Sequence, residues 1–254
     1  MITVIQALKS FNNRIILNNI SAEFYPGKVN MIIGKSGSGK TVLIKSLVGL
    51  HDIDSGSILF DGRDFTCIKR NEKKNIRKEI GMLFQGGALF DSLTIEENIR
   101  FPLDMYSTMT SREKHKRVDF CLQKVNLVNA NKLFPSELSG GMQKRAAIAR
   151  AISLNPKYLF CDEPNSGLDP QTSMVIDKLI KEITIEFNIT TIVNTHDMNS
   201  VFEIADQILF IYEGKVWWKG THQELLNARN IELEEFLYSS PLLRKIERKL
   251  KNEG

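Results

Sequence analysis

The stretch that most constrains this chain is Gly34-Lys35-Ser36-Gly37-Ser38-Gly39-Lys40-Thr41. It fits the phosphate-binding pattern G-x-x-x-x-G-K-[ST]. The apolar run Val29-Asn30-Met31-Ile32-Ile33 before it reads as a buried strand, and residues 41–48 after it read as the first turns of a helix. Such a loop needs that strand–loop–helix setting. Its three glycines permit dihedrals closed to other residues and let the backbone approach an oxyanion. Successive N–H groups and the amino end of the helix carry fixed partial positive charge toward it. Lys40 is placed to reach the β- and γ-phosphates of a bound nucleotide, and the Thr41 hydroxyl to ligate Mg²⁺.

Composition narrows the class further. At 254 residues the chain suits one α/β domain, and 42% hydrophobic with 25% charged residues is ordinary for a globular protein. A net charge of +4 is too small to argue for nucleic acid. Cys67, Cys121 and Cys161 form no C-x-x-C pair, which points to a reducing compartment. No run approaches 18 apolar residues, and the start, Met1-Ile2-Thr3-Val4-Ile5, lacks the basic residues of a signal peptide. A cytosolic chain, able to sit on a membrane partner, is expected.

Residues 2–8, 15–17 and 20–24 read as short strands before Pro26-Gly27. Phe11 stands among polar neighbours, where its ring is free to stack on a base or to tuck under a hairpin. Asp54-Ser55-Gly56 reads as a turn, residues 57–60 as a strand, and the charge-rich residues 69–79 as a solvated helix. A strand over residues 80–84 delivers Gln85 at its carboxyl end, where ligands and coupled loops gather in α/β sheets. From 86 to about 153 the pattern turns helical, with capping boxes at Thr94 and Thr110; the second opens a helix carrying Val118, Cys121, Leu122 and Val125. Leu138-Ser139-Gly140-Gly141-Met142 precedes another helix, and a glycine pair there is an anion site only in company. Residues 158–163 form an apolar strand ending in Asp162 and Glu163, acids placed to hold Mg²⁺ and act on a water. Pro170 opens a helix to about Phe187. A strand over residues 189–193 leads to Thr195-His196-Asp197, residues 208–218 read as a closing hairpin, and a capping box over residues 221–224 starts a last globular helix.

Taken in order, these pieces resemble the ATP-binding cassette (ABC) ATPases along nearly the whole chain. The match comprises a Walker A loop at 34–41, a Q-loop at Gln85, the L-S-G-G signature at 138–141 and Walker B at 158–162. It continues through Glu163, a D-loop at 166–170 and a switch His196. The resemblance implies a P-loop NTPase fold: a mixed, largely parallel sheet, an amino-terminal antiparallel β subdomain and a helical insert. It implies ATP and Mg²⁺, and a head-to-tail homodimer with two nucleotides between subunits. Residues 34–41 and Val42, the latter by its N–H, would hold one nucleotide, with Phe11 stacking on adenine. Ser139, Gly140 and Gly141 of the other subunit would complete the γ-phosphate site, and the D-loop Asp169 would lie beside it. Thr41, Asp162 and Gln85 fall at the metal positions. Glu163 would polarise the attacking water, His196 contact the γ-phosphate, and Gln85 report the state of the site to a membrane partner. Met142 replaces the usual Gln, Val42 a second hydroxyl, and Asn165 a common Thr, none at the residues assigned to hydrolysis.

A narrower resemblance lies in residues 84–94, Phe101-Pro102-Leu103 and the Leu-Ser-Gly-Gly-Met signature, which look like the ATPase subunits of Mla/Mce-type lipid transporters of the bacterial envelope. It implies phospholipid transport between inner and outer membranes, an integral permease and an MCE-domain lipid-binding protein as partners, and a place on the cytoplasmic side of the inner membrane. An amino-acid or other small-solute importer shares the same catalytic motifs. A nucleic-acid clamp is disfavoured: only about 98 residues separate Lys40 from Ser139, without sustained heptads, and the chain has one cassette. A non-hydrolysing ATP sensor is disfavoured by the intact Glu163 and His196. The expected division is an ATPase domain over residues 1–230, with its helical insert at about 86–153, and a helical tail over 231–254. In that tail Leu242, Leu243, Ile246 and Leu250 share one helical face, expected to dock on the other subunit. Leu89, Phe90 and Leu93 are expected to be exposed, in a groove wall over 86–103 that receives a permease helix.

Overall fold

Two β-sheets share the chain, and the loop of glycines lies where the second begins. The computed structural model describes residues 1–225 and 227–238, with Arg70 described by its backbone alone. β1 (Ile2–Phe11) and β2 (Arg14–Phe24) form an antiparallel hairpin turned by Asn12 and Asn13, both at positive φ. The two strands expected at 15–17 and 20–24 are one, because Asn19 takes φ 53° and absorbs an irregularity instead of ending the strand. β3 (Val29–Ile33) runs into the loop, and α1 (Lys40–Leu47) follows it. β4 (Ser55–Phe60) starts inside the turn expected at 54–56, two residues before the strand expected at 57–60. There the Asp54 carboxylate accepts from Lys9 Nζ at 2.7 Å and from Ser10 N at 2.6 Å, and so holds the strand start against β1. β5 (Arg63–Asp64) completes the first sheet, in the order β2-β1-β4-β5.

α2 (Arg70–Lys78), the charge-rich segment, leads to β6 (Ile80–Leu83). Three helices then intervene: α3 (Ile95–Tyr106), α4 (Ser111–Lys124) and α5 (Gly140–Ile152). The boxes at Thr94 and Thr110 cap α3 and α4 through Glu97 and Glu113. β7 (Tyr158–Asp162), α6 (Pro170–Glu186), β8 (Thr190–Asn194) and α7 (Met198–Ile204) follow. The hairpin of β9 (Gln207–Tyr212) and β10 (Lys215–Gly220) closes the second sheet, in the order β10-β9-β3-β8-β7-β6. All neighbours in it are parallel except β9 and β10. Thr221 forms its box with Glu224, but α8 (His222–Leu225) is only four residues long. α9 (Ile231–Leu237) comes after it, beyond the division expected at 230, and buries Leu233, Phe236 and Leu237 in the main core. The apolar face expected at 241–251 lies outside the described residues.

The parallel strands are buried on both faces, so side-chain alternation assigns each residue to one of two cores. Val29, Met31, Ile33, Leu159, Cys161 and Val193 join the core under α3–α6. Ile32, Tyr158, Phe160 and Ile192 join the other core, with Leu43 and Ile44 of α1 and the inner face of the antiparallel sheet. By the same alternation Asp162 and Asn194 project toward α1.

Tyr158 ties the two sheets. Its ring lies edge-on to Phe60 with centroids 4.8 Å apart, and its hydroxyl donates to Asp61 Oδ2 at 2.6 Å. Burial pushes the phenol pKa well up. Removing the hydroxyl (Tyr158→Phe) is expected to cost about 1 kcal/mol. Removing the ring (Tyr158→Ala) is expected to cost about 3–5 kcal/mol in chemical denaturation, because a cavity opens between the sheets.

Candidate nucleotide site

The loop at 34–41 is shaped by where side chains cannot go. Gly39 caps α1 at φ 107°, and a Cβ there would stand 2.9 Å from the Ile16 carbonyl. Gly39 offers no side-chain cap, and the first turn of α1 holds no acid, so the positive end of the helix keeps its capacity for an anion. Inside the loop the Lys40 ammonium donates to the carbonyls of Gly34 (2.8 Å) and Lys35 (3.2 Å). Burial lowers the Lys40 pKa, against the pull of Glu163 and Asp162. Ser38 Oγ is buried without a partner, while a Cβ on Gly37 would meet open space. An orphan hydroxyl, an enclosed ammonium and an open face fit a phosphate group. Ser36 is exposed, Lys35 makes an exposed ion pair with Glu235 at 3.5 Å, and Val42 packs against the smaller core.

Thr41 and Asp162 meet through a residue that no motif marked. The Asn194 side chain donates to Asp162 Oδ1 at 2.6 Å and to Thr41 Oγ1 at 3.3 Å. The only signal in the sequence is a polar residue closing an apolar strand. Beyond Asp162 the chain turns sharply: Glu163 sits at φ 51°, a region costly for a side-chain-bearing residue and favoured at functional sites. Its N–H donates to the Asn194 carbonyl, and its carboxylate lies 2.9 Å from His196 Nδ1. His196 is otherwise exposed. Among the described residues no cluster of three His, Cys, Asp or Glu side chains can hold a metal. A cation here would take the Thr41 hydroxyl and Asp162 together with oxygens of the nucleotide and water, a hard-oxygen set that suits Mg²⁺.

Gln85 follows β6, and its Nε2 donates to Ser166 Oγ at 3.3 Å. Its carbonyl accepts from Lys144 Nζ, while Arg150 donates to the carbonyls of Gly87 (2.8 Å) and Ala88 (2.7 Å). Lys144 and Arg150 were likewise unmarked by any motif. Leu89 and Leu93, expected to be exposed, are half-buried, Leu89 against the main core; Phe90 is 43% exposed and packs on Phe101 at 5.0 Å.

The remaining predicted residues are not gathered at this loop. Ser139 caps α5, accepting from Met142 N at 3.3 Å. Gly140 is exposed, and Gly141 is where a Cβ would come 2.5 Å from Thr172 on α6. Among the described residues no hydrogen bond or ion pair joins that corner to residues 34–41. Asp169 caps α6, accepting from Gln171 N and Thr172 N, both at 3.0 Å; hydrogen bonds from Thr172 hold its pKa below the usual carboxylate range. Phe11 is exposed at the hairpin tip, not tucked beneath it. His51 lies edge-on 5.2 Å away and Lys9 Nζ is 5.1 Å from its centroid.

A glycine loop, a helix amino end, a strand-terminal Asp and the Glu163–His196 pair on a parallel sheet define a P-loop nucleoside triphosphatase. The ABC transporter family matches residues 17–166, and the chain belongs to it as an ATP-binding subunit and an ATPase. The chain is 40% identical over 225 residues to the intermembrane phospholipid transport system ATP-binding protein MlaF of Haemophilus influenzae, across 89% of this chain and 85% of that one. It is 36% identical over 259 residues to the methionine import ATP-binding protein MetN of Campylobacter jejuni, across 96% of this chain and 77% of that one. Its fold is similar to the dimeric post-hydrolysis state of the ATP-binding cassette MJ0796 bound to ADP and Pi, with TM-score 0.79 and 31% identity over 87% of this chain and 98% of that one.

Behind the site lies a buried acid, Asp177 of α6. It accepts from Asn165 Nδ2 at 2.8 Å; the same nitrogen donates to Ser200 Oγ of α7 at 3.0 Å. Burial pushes the Asp177 pKa up to about 6, aided by Asp197 and Glu203 and opposed by hydrogen bonds from Ser200 and Asn165. A carboxyl more easily protonated folded than unfolded favours the folded state fully below about pH 4, and that contribution is lost as pH rises through about 6. Asp177→Asn should therefore gain stability over wild type at pH 8, and the gain should shrink to nothing between pH 6 and 4 in thermal melts.

Proposed function

We propose that the chain is the ATPase subunit of a transporter that moves phospholipid between the inner and outer membranes of a bacterial envelope. It works as a head-to-tail homodimer on an integral permease, with an MCE-domain lipid-binding protein in the complex, and sits peripherally on the cytoplasmic side of the inner membrane. Among the described residues no helix is long and apolar enough to cross a membrane, consistent with attachment through a partner. For the cargo, support comes from the likeness to MlaF, which spans 85% of that protein. A methionine-type or other small-solute importer is the second reading, supported by the likeness to MetN.

The observation that carries the catalytic reading is the Glu163–His196 pair next to the Thr41–Asn194–Asp162 chain. Lys40, freed from its loop carbonyls, and the α1 amino end bind the β- and γ-phosphates of ATP. Mg²⁺, held by Thr41 and Asp162 with Gln85 at its edge, would neutralise charge on the phosphate oxygens. Glu163 accepts the proton of the attacking water, and His196 turns from Glu163 to the γ-phosphate. Phe11 stacks on adenine. Ser139, Gly140 and Gly141 from the second subunit close the site with a hydroxyl, N–H groups and the α5 amino end, and Asp169 orders the junction between subunits.

Glu163→Gln keeps the shape of the side chain but cannot accept the proton. ATP binding by calorimetry should stay near wild type while hydrolysis falls at least roughly a hundredfold, the usual worth of a positioned general base. Unchanged turnover would remove Glu163 from this role. For the partner, Phe90→Asp replaces the exposed ring beside Phe101 with a charge and should abolish co-purification with the permease while sparing ATP binding. Lipids and proteins recovered with the tagged chain from membranes distinguish the two cargo readings.

A further inference from the structure

Asn194 is 1% exposed and ends β8 between two strands: Asp162 of β7 is its register partner on one side and Ile32 of β3 on the other. A buried amide is costly unless bonded, and a valine would fill the place without a polar atom. Its nitrogen has two hydrogens, and the bonds to Asp162 Oδ1 and Thr41 Oγ1 account for both. Its oxygen is buried and has no partner, so packing alone does not explain the residue.

We infer that Asn194 is a positioning residue of the cation site, setting which lone pairs of Thr41 and Asp162 remain for a divalent cation. With Oδ1 occupied, Asp162 offers Oδ2 to the cation or to a water on it. With one lone pair of the Thr41 oxygen engaged, the other faces the cation and the hydroxyl proton is turned away from both. A small hard cation that demands near-octahedral geometry gains most from ligands aimed in advance. Groups that orient metal ligands in this way typically change metal affinity or activity 10–100-fold when removed. The inference rests on the proposed reading of Thr41 and Asp162 as the cation's protein groups.

The test uses the full chain and calorimetric ATP binding in EDTA and across a Mg²⁺ titration, beside hydrolysis. Asn194→Val removes both donors, and Asn194→Thr has the shape of valine with one hydroxyl donor. Asn194→Val is expected to leave Mg²⁺-free ATP affinity within about twofold and to raise the Mg²⁺ concentration for half-maximal gain in affinity about tenfold. Asn194→Thr should fall between it and wild type, and it carries the test if the valine variant fails to fold. Equal losses with and without Mg²⁺, or an unchanged Mg²⁺ dependence, would overturn the inference. Thr41→Ala and Asp162→Asn separate the two levels. If they too leave the Mg²⁺ dependence unchanged, the reading of the cation site fails; if they alter it and Asn194→Val does not, only the role of Asn194 fails.

Discussion

The register of three parallel strands, β3, β8 and β7, is the constraint on which the site depends. It sets Asp162 beside Asn194 and Asn194 beside Ile32, just before the glycine loop. Parallel strands have all their carboxyl ends at one edge, so groups far apart in sequence emerge together there. Because side chains alternate, a one-residue slip would turn Asp162 and Asn194 into the core under the helices and bring Cys161 and Val193 toward α1. Burial of both faces forbids that slip, since an unpaired carboxylate would enter an apolar core.

Immediately past that edge the chain leaves regular structure under strain, and a polar bracket holds it. Glu163 adopts a left-handed backbone, and two residues later Asn165 is fastened to Asp177 and Ser200. Ser200 belongs to the helix that Asp197 caps, one residue after His196. The bracket thus spans from the turn carrying Glu163 to the turn carrying His196. Substituting Asn for the Thr common there has a physical correlate: a carboxamide nitrogen can serve two acceptors at once, where a hydroxyl has a single proton.

Much of this was legible because the signals are local. The glycine loop, the strand-terminal acids and the Thr94 and Thr110 caps each depend on a few neighbouring residues. Asn194, Lys144 and Arg150 were not legible, since their partners lie on other elements and only the folded sheet and insert bring them together. Other misjudgements have the same origin. Asn19 looks like a strand end in isolation, yet cross-strand pairing on both sides carries the strand through it. Residues 54–56 have turn composition, but the Lys9 and Ser10 donors draw Asp54 onto β1. Leu89 and Leu93 sit on a short loop and look exposed, but the fold leaves both half-buried, Leu89 against the main core.

Lys144 and Arg150 also tie the loop after Gln85 to the helical insert. Both lie on α5, the helix whose amino end carries Ser139, and they bind the carbonyls of residues 85, 87 and 88. Hydrogen bonds from cations to carbonyls in a half-buried setting are stronger than neutral ones, so loop and helix resist separation. On its other side the same loop touches Ser166, at the start of the segment that Asp169 ends as a helix cap. The weaker link is this one, a single neutral bond at 3.3 Å against three charged ones. The loop is thus held more firmly to α5 and Ser139 than to Ser166. If Ser139 completes the partner's site, as proposed, these bonds would pass a push on residues 86–90 to the opposite nucleotide more directly than to the loop's own.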